Sequence, residues 1–173
     1  MARSTFSGPI RSLAGSYTQG PNSVIDLPNG TNTITLTVAD HAGRWITTND
    51  ATLVITLPTI VATAQSSAVG PGDPNMLNNQ GASFWIWVET AATALAIKTD
   101  GTDKFVGALT VLSVAAITGY VAGASNDVIN MNGTTTGGVA GSWVRITAMK
   151  ALKYSVEGLL LGSSTILTPF ADT

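Results

Sequence analysis

His41 is the single histidine in 173 residues and the one side chain suited to act as a neutral-pH general base. It sits in Asp40-His41-Ala42-Gly43, a polar stretch that reads as a tight turn facing water. A Ser–His–acid triad also needs a serine on a sharp elbow, and no Gly-x-Ser-x-Gly occurs. Zinc, copper and non-haem iron draw on two or more His or Cys ligands; with no Cys, this chain alone cannot supply them. Calcium needs only oxygens, and Asp100-Gly101-Thr102-Asp103 offers two carboxylates. The stretch lacks the Asp-x-Asp-x-Asp-Gly rhythm and distal Glu of a calcium loop, and Asp-Gly is a strong hairpin signal. Ten acids, half of them beside Gly or Asn, single out no pair for glycoside hydrolysis. Gly137-Gly138-Val139-Ala140-Gly141 lacks the Lys-Ser/Thr of a phosphate-cradling loop. Asn29-Gly30-Thr31 and Asn132-Gly133-Thr134 match the glycosylation sequon but read as Asn-Gly turns. The expectation is a non-enzyme with no catalytic residue, no metal and no cofactor.

The aromatic residues carry more information. In Ser83–Glu89, Phe84, Ile86 and Val88 share one face and Trp85 and Trp87 the other. A strand apolar on both sides reads first as a buried one, so Trp85 and Trp87 are expected in the core or at a subunit interface. Left exposed, the same pair would form a stacking platform for sugars. Ser142–Met149 repeats the pattern, with Trp143, Arg145 and Thr147 opposite Val144, Ile146 and Ala148.

Charged residues are 10% of the chain, against about 25% in an ordinary soluble domain. A formal net charge of −2 with scattered Lys and Arg gives no footprint for nucleic acid. The uncharged run Phe105–Ala124 is nominally long enough to span a bilayer, but its Gly, Thr and β-branched residues read as strand, so no membrane partner is expected. Gly8, Pro9 and Arg11 interrupt the apolar core that a secretory leader would need.

Residues 1–32 show no periodicity and are punctuated by Gly20-Pro21-Asn22 and Pro28-Asn29-Gly30; they read as an extended N-terminal arm with apolar anchors at Phe6, Ile10, Leu13 and Tyr17, or equally as a frayed terminus. From residue 33 to 173 strands alternate with turns: Thr33–Ala39, Arg44–Thr48, Thr52–Leu57, Ser83–Glu89, Ala94–Lys98, Lys104–Ala115 (one strand, or two meeting at a bend), Asp127–Met131, Ser142–Met149 and Leu152–Glu157. A last strand falls at Leu159–Leu161 or Thr165–Leu167, and residues 64–82 form a long Gly/Pro/Asn-rich loop. Short strands at this spacing, without a capped helical period, predict an all-β fold: an antiparallel β-sandwich of jelly-roll type. No internal repeat is clear enough to predict a propeller or solenoid.

Several segments resemble structural proteins of tailed phages, notably the small head proteins of marine and cyanobacterial phages. The opening Met1-Ala2-Arg3-Ser4-Thr5-Phe6-Ser7-Gly8-Pro9 is similar, as are Thr35–Arg44, Val54-Ile55-Thr56-Leu57-Pro58, Gly81-Ala82-Ser83-Phe84, Lys98–Gly107 and Trp143–Ala148. The resemblance implies a virion component of β-sandwich fold, with capsid decoration (cement) as its expected role, assembled as a homotrimer on the major capsid protein at the capsid exterior after synthesis in the host cytoplasm. Under that reading the arm residues Arg3, Phe6, Pro9, Ile10 and Arg11 are the expected capsid contacts. Similar strand grammar also occurs in receptor- or glycan-binding modules of tail fibres and spikes.

Overall fold

The computed structural model describes residues 24–27, 29–30, 32–62 and 79–173. The strands are β1 (Val24–Leu27), β2 (Thr33–Thr35), β3 (Trp45–Thr48), β4 (Val54–Thr56), β5 (Ser83–Val88), β6 (Leu95–Lys98), β7 (Lys104–Leu112), β8 (Ile117–Val121), β9 (Val128–Met131), β10 (Trp143–Lys150), β11 (Lys153–Leu161) and β12 (Phe170–Ala171); one helical turn, α1 (Val38–His41), interrupts them. They form a seven-stranded sheet, ordered β1-β3-β5-β10-β11-β7-β8, and a five-stranded sheet, ordered β12-β9-β6-β4-β2. Period-two alternation aims one face of each sheet at a shared core, so the all-β sandwich is as expected.

Within it the sheets are mixed rather than antiparallel throughout. β1, β3 and β5 run parallel in the larger sheet, β2, β4 and β6 run parallel in the smaller, and β7 is parallel to β11. The cause is connectivity. From β1 to β6 the chain changes sheet at every step, so each strand meets its neighbour only after a round trip and in the same direction. Two turns expected to close hairpins follow this logic. Asp100-Gly101 carries the chain from β6 to β7, and Asn132-Gly133 lies between β9 and β10, each crossing from one sheet to the other. Asp-Gly and Asn-Gly specify a sharp reversal, not the identity of the strands it joins.

The round trips make a coil that the sequence did not disclose as a repeat. Val24 lies beside Trp45 and Thr33 beside Val54, and Thr47 Oγ1 donates to Asp26 Oδ1 at 3.0 Å, all at a step of 21 residues. The next turn of the coil is lengthened by residues 63–78, which breaks the period and hides it. What stays constant is isoleucine: Ile25, Ile46 and Ile86 stack along one sheet, and Ile34, Ile55 and Ile97 along the other. The inner members of both stacks are fully buried, worth roughly 1.5–3 kcal/mol each in transfer free energy. Asp50 ties successive turns together. Its Oδ1 accepts from Thr52 N at 2.8 Å and its Oδ2 from Gly30 N at 3.0 Å.

Other boundaries shifted for local reasons. The strand expected over Thr33–Ala39 stops at Thr35, because Thr37 caps α1: its Oγ1 accepts from Asp40 N at 3.2 Å. β1 falls inside the stretch read as arm, so the sheet already includes Val24–Leu27. The uncharged run after Phe105 is two antiparallel strands, β7 and β8, that pair Leu112 with Ile117. Leu159–Leu161 is the end of β11, and the final strand is Phe170–Ala171. Among the described residues no helix is long and apolar enough to cross a membrane.

Candidate functional site: a tryptophan-paved sheet face

All four tryptophans of the chain lie on the outer face of the seven-stranded sheet: Trp45 on β3, Trp85 and Trp87 on β5, and Trp143 on β10. Register brings them together. Trp45 is paired with Trp85 across the parallel β3–β5 ladder, and Trp143 with Trp87 across the antiparallel β5–β10 ladder. The Trp45 and Trp85 rings are 5.0 Å apart and tilted by 49°; Trp85 and Trp143 are 6.4 Å apart and stacked at 23°. Such contacts add about 0.5–1.5 kcal/mol beyond area burial. Trp85 is half-buried, while Trp87 remains 36% and Trp45 39% exposed. Trp85 and Trp87, expected in the core or at a subunit interface, thus lie on the outer face of the sheet rather than between the two sheets. Inward positions on β5 are held by Phe84, Ile86 and Val88, and strict alternation leaves the tryptophans outside.

The charged groups at the centre of this face are paired, while Lys150 and Lys153 stand at the end of β10 and β11. Arg145, opposite Trp85 on β10, places its guanidinium carbon 4.9 Å from the Trp85 ring centroid, and its Nη1 donates to Glu157 Oε1 at 2.9 Å. Both side chains are substantially exposed, so the pair contributes little to stability, but it leaves no net charge at the centre of the face. Ser83 and Thr147 share a hydroxyl–hydroxyl hydrogen bond of 2.8 Å. Three shallow hollows open here. One of about 340 Å³ is lined by Val24, Trp45, Thr47 and Trp87; a second, about 240 Å³, by Arg145, Thr147, Met149, Ser155 and Glu157; and a third, about 510 Å³, by Val106, Met149, Lys150, Lys153 and Ser155. Exposed Val106, Ile117 and Val121 carry the apolar surface on to β7 and β8. The smaller sheet differs: its outward exposed residues include Thr33, Thr35 and Asn130.

The residues weighed earlier for chemistry have structural roles. His41 is half-buried, and its Nδ1 accepts from Thr37 N at 3.0 Å across α1. Asp100 Oδ1 accepts from Thr102 N and Asp103 N, both at 2.9 Å; burial opposes its ionisation, but these hydrogen bonds and one from Thr59 hold its pKa below the ordinary value. Asp103 is buried, its Oδ2 accepts from Ile60 N at 2.8 Å, and its Oδ1 has no hydrogen-bond partner. Burial pushes the Asp103 pKa up, against the Ile60 hydrogen bond. The buried Tyr154 hydroxyl donates to Pro58 O beside it, and desolvation raises its pKa well above the ordinary phenol value. Together these groups pin Pro58–Ile60 onto the Asp100 turn. Asp127 accepts from Lys104 Nζ at 2.6 Å and from Thr173 N and Oγ1; burial opposes ionisation there too, but these partners lower its pKa. No cluster of three or more His, Cys, Asp or Glu suited to a metal occurs among the described residues.

Arg3, Phe6, Pro9, Ile10 and Arg11 lie outside the described residues, as does most of the 64–82 loop. Trp45 and Glu157 were not singled out from sequence, because nothing local marks two residues on different strands as neighbours of Trp85. The alternation in Ser142–Met149 had set Trp143 and Arg145 on one face; only the register shows that it is the same face. Comparison with protein-family profiles, with curated proteins and with solved structures finds no match to this chain.

Proposed function

We propose that this protein is a non-catalytic virion structural component, a decoration (cement) protein that binds the outer surface of an assembled phage capsid and stabilises it. The observation that carries the reading is the one-sidedness of the sandwich. One sheet turns four clustered tryptophans outward, Trp45 and Trp87 exposed and Trp85 and Trp143 half-buried, together with several exposed aliphatic side chains; the exposed strand residues of the other are Thr and Asn. Contiguous apolar surface on that scale marks a part of a larger assembly. The phage-like segments of the sequence supply the kind of assembly. Its partner is the major capsid protein, approached as a homotrimer, with Arg3, Phe6, Pro9, Ile10 and Arg11 as capsid contacts. A ligand that binds only the mature lattice stabilises that lattice by mass action, and linking three binding units makes later contacts intramolecular.

Co-sedimentation with capsids stripped of decoration tests this. Saturable binding of hundreds of copies per particle is expected, and a chain lacking residues 2–20 should stay folded but fail to bind. Undiminished occupancy by the truncated chain removes the arm from the mechanism; no binding by the full chain removes the decoration role.

A second reading has its own observation. The stacked Trp85–Trp143 pair, with Arg145, Glu157 and the Ser83–Thr147 hydroxyls alongside, is the mixture of ring faces and hydrogen-bonding groups that sugars occupy. On that reading the chain is a receptor- or glycan-binding β-module of a tail fibre or spike, and saturable binding on a glycan array that is lost on Trp85 substitution would favour it.

A further inference from the structure

We infer that the tryptophan-paved face is where copies of this chain meet one another, so that the capsid is engaged by other surfaces. The inference rests on the reading of the protein as an assembly component and names the partner of that face. Three observations point to a second copy. The first is size. Strands four to nine residues long, at about 3.3 Å per residue and about 4.8 Å spacing, give the face an area of roughly 700 Å². That is close to the roughly 800 Å² per partner of a standard stable interface.

The second is charge. Arg145 and Glu157 neutralise each other within one chain at 2.9 Å, and Asp26 accepts from Thr47. A copy can therefore cover the centre of the face without meeting an uncompensated charge, and it need not supply one. The charges left over lie away from that centre and are of both signs, Asp26 on β1 and Lys150 and Lys153 at the β10–β11 end, so a second copy carries an opposite charge for each. The third is composition. Tryptophan at the centre of a face, flanked by aliphatic residues and with the ion pair among them, is the make-up of interface hot spots. Exposed apolar residues reach from Val24 at one edge strand through Trp45 and Trp87 to Met149, Val106 and Val121 towards the other, with the Arg145–Glu157 pair, Thr147 and Ser155 set among them.

Sedimentation velocity of the purified full chain, without capsids, provides the test. Wild-type protein should sediment as a homo-oligomer at roughly 10 µM. The double variant Trp45→Thr/Trp87→Thr should be monomeric there, its association weakened at least about 30-fold, as removal of hot-spot residues predicts. Thr35→Lys, on the outer face of the other sheet, should leave association unchanged. An unaltered far-UV CD spectrum establishes that the double variant is folded. If it is not, Trp87→Thr alone is used, with tryptophan emission read on dilution: a red shift in wild type and none in the variant is expected. A wild-type monomer at all concentrations overturns the proposal. So does an oligomer untouched by the tryptophan changes, or one dissolved by Thr35→Lys. Capsid occupancy is measured separately: an oligomer that forms through this face but binds no capsid refutes the decoration role and leaves the self-association standing.

Discussion

Ile86 and Trp87 are adjacent on β5 and point in opposite directions, so replacing each in turn tests the whole assignment of inside and outside. Ile86 is fully buried between Ile46 on β3 and Val144 on β10. Truncation to Ala removes three carbons, worth about 0.8 kcal/mol each in transfer free energy. If about 40 Å³ of the vacated space stays open, the cavity adds roughly 1 kcal/mol more. The expected loss is about 3–4 kcal/mol, which at a urea slope of about 2 kcal/mol/M moves the unfolding midpoint down by roughly 1.5–2 M. Trp87→Thr leaves no cavity, because the ring is partly in water, and should remove only cross-strand packing against Trp143, about 0.2–1 kcal/mol. Urea unfolding followed by far-UV CD, at two protein concentrations about 50-fold apart, separates folding from association. Ile86→Ala should lower the midpoint equally at both, whereas the effect of Trp87→Thr should shrink at the lower one. A Trp87→Thr loss as large as that of Ile86→Ala in dilute protein would mean that Trp87 is a core residue and that the outward face is misassigned.

Asp103 and Asp127 should respond to pH in opposite senses. The Asp103 pKa is raised in the folded state, so its contribution to stability is full below the unfolded carboxylate value, about 3.9, and is lost as pH climbs through the folded value. Asp103→Asn should therefore gain on wild type as pH rises above about 4 in thermal melts; a constant difference refutes the assignment. The Asp127 pKa is lowered, so its contribution is present above the unfolded value and lost as pH falls through the folded one. Asp127→Asn should cost stability at neutral pH and converge on wild type in acid. Tyr154→Phe removes the hydroxyl that bonds Pro58 O and should cost about 0.5–1.5 kcal/mol in urea unfolding, with no loss expected only if that carbonyl finds another donor. A Cβ at Gly107, where φ is 130°, would stand 2.2 Å from Val156 O, so Gly107→Ala should cost several kcal/mol; Gly43→Ala, at φ 75° in open space, should cost about 1–2 kcal/mol. Similar losses at the two sites, measured by thermal melts, would count against the close β7–β11 approach.

Most strands were legible because alternation is local: Ile34, Ile55, Ile86 and Ile97 each sit at an inward position that the pattern alone assigns. Partnership was not legible. Alternation carries no information on whether the next strand pairs alongside or crosses the core, so Asp100-Gly101 read as a hairpin. The 21-residue step survives undisturbed only in the first circuit, from Val24 to Trp45 and from Thr33 to Val54, before residues 63–78 interrupt it. β8 was obscured because in the edge strand Ile117-Thr118-Gly119-Tyr120-Val121 only Tyr120 packs against the core, too little to impose a pattern. The site shared this fate. Trp85 and Trp87 were visible as a pair, but their meeting with Trp45 and Trp143 depends on pairings between strands far apart in the chain.

The coil also sets the order in which the protein can form. β7–β8 and β10–β11 are joined by short turns and can close within microseconds of collapse. β1, β2, β3 and β4 have no such local partner, since every neighbour in either sheet is a full circuit away. Their ladders end on β5 and β6, which are made later on the ribosome. Being synthesised first thus gives residues 24–57 no head start. Until Ser83–Lys98 has emerged they can form only the two-stranded β1–β3 and β2–β4 ladders with open edges, so folding should be slow for the chain's length and most prone to aggregation in that interval.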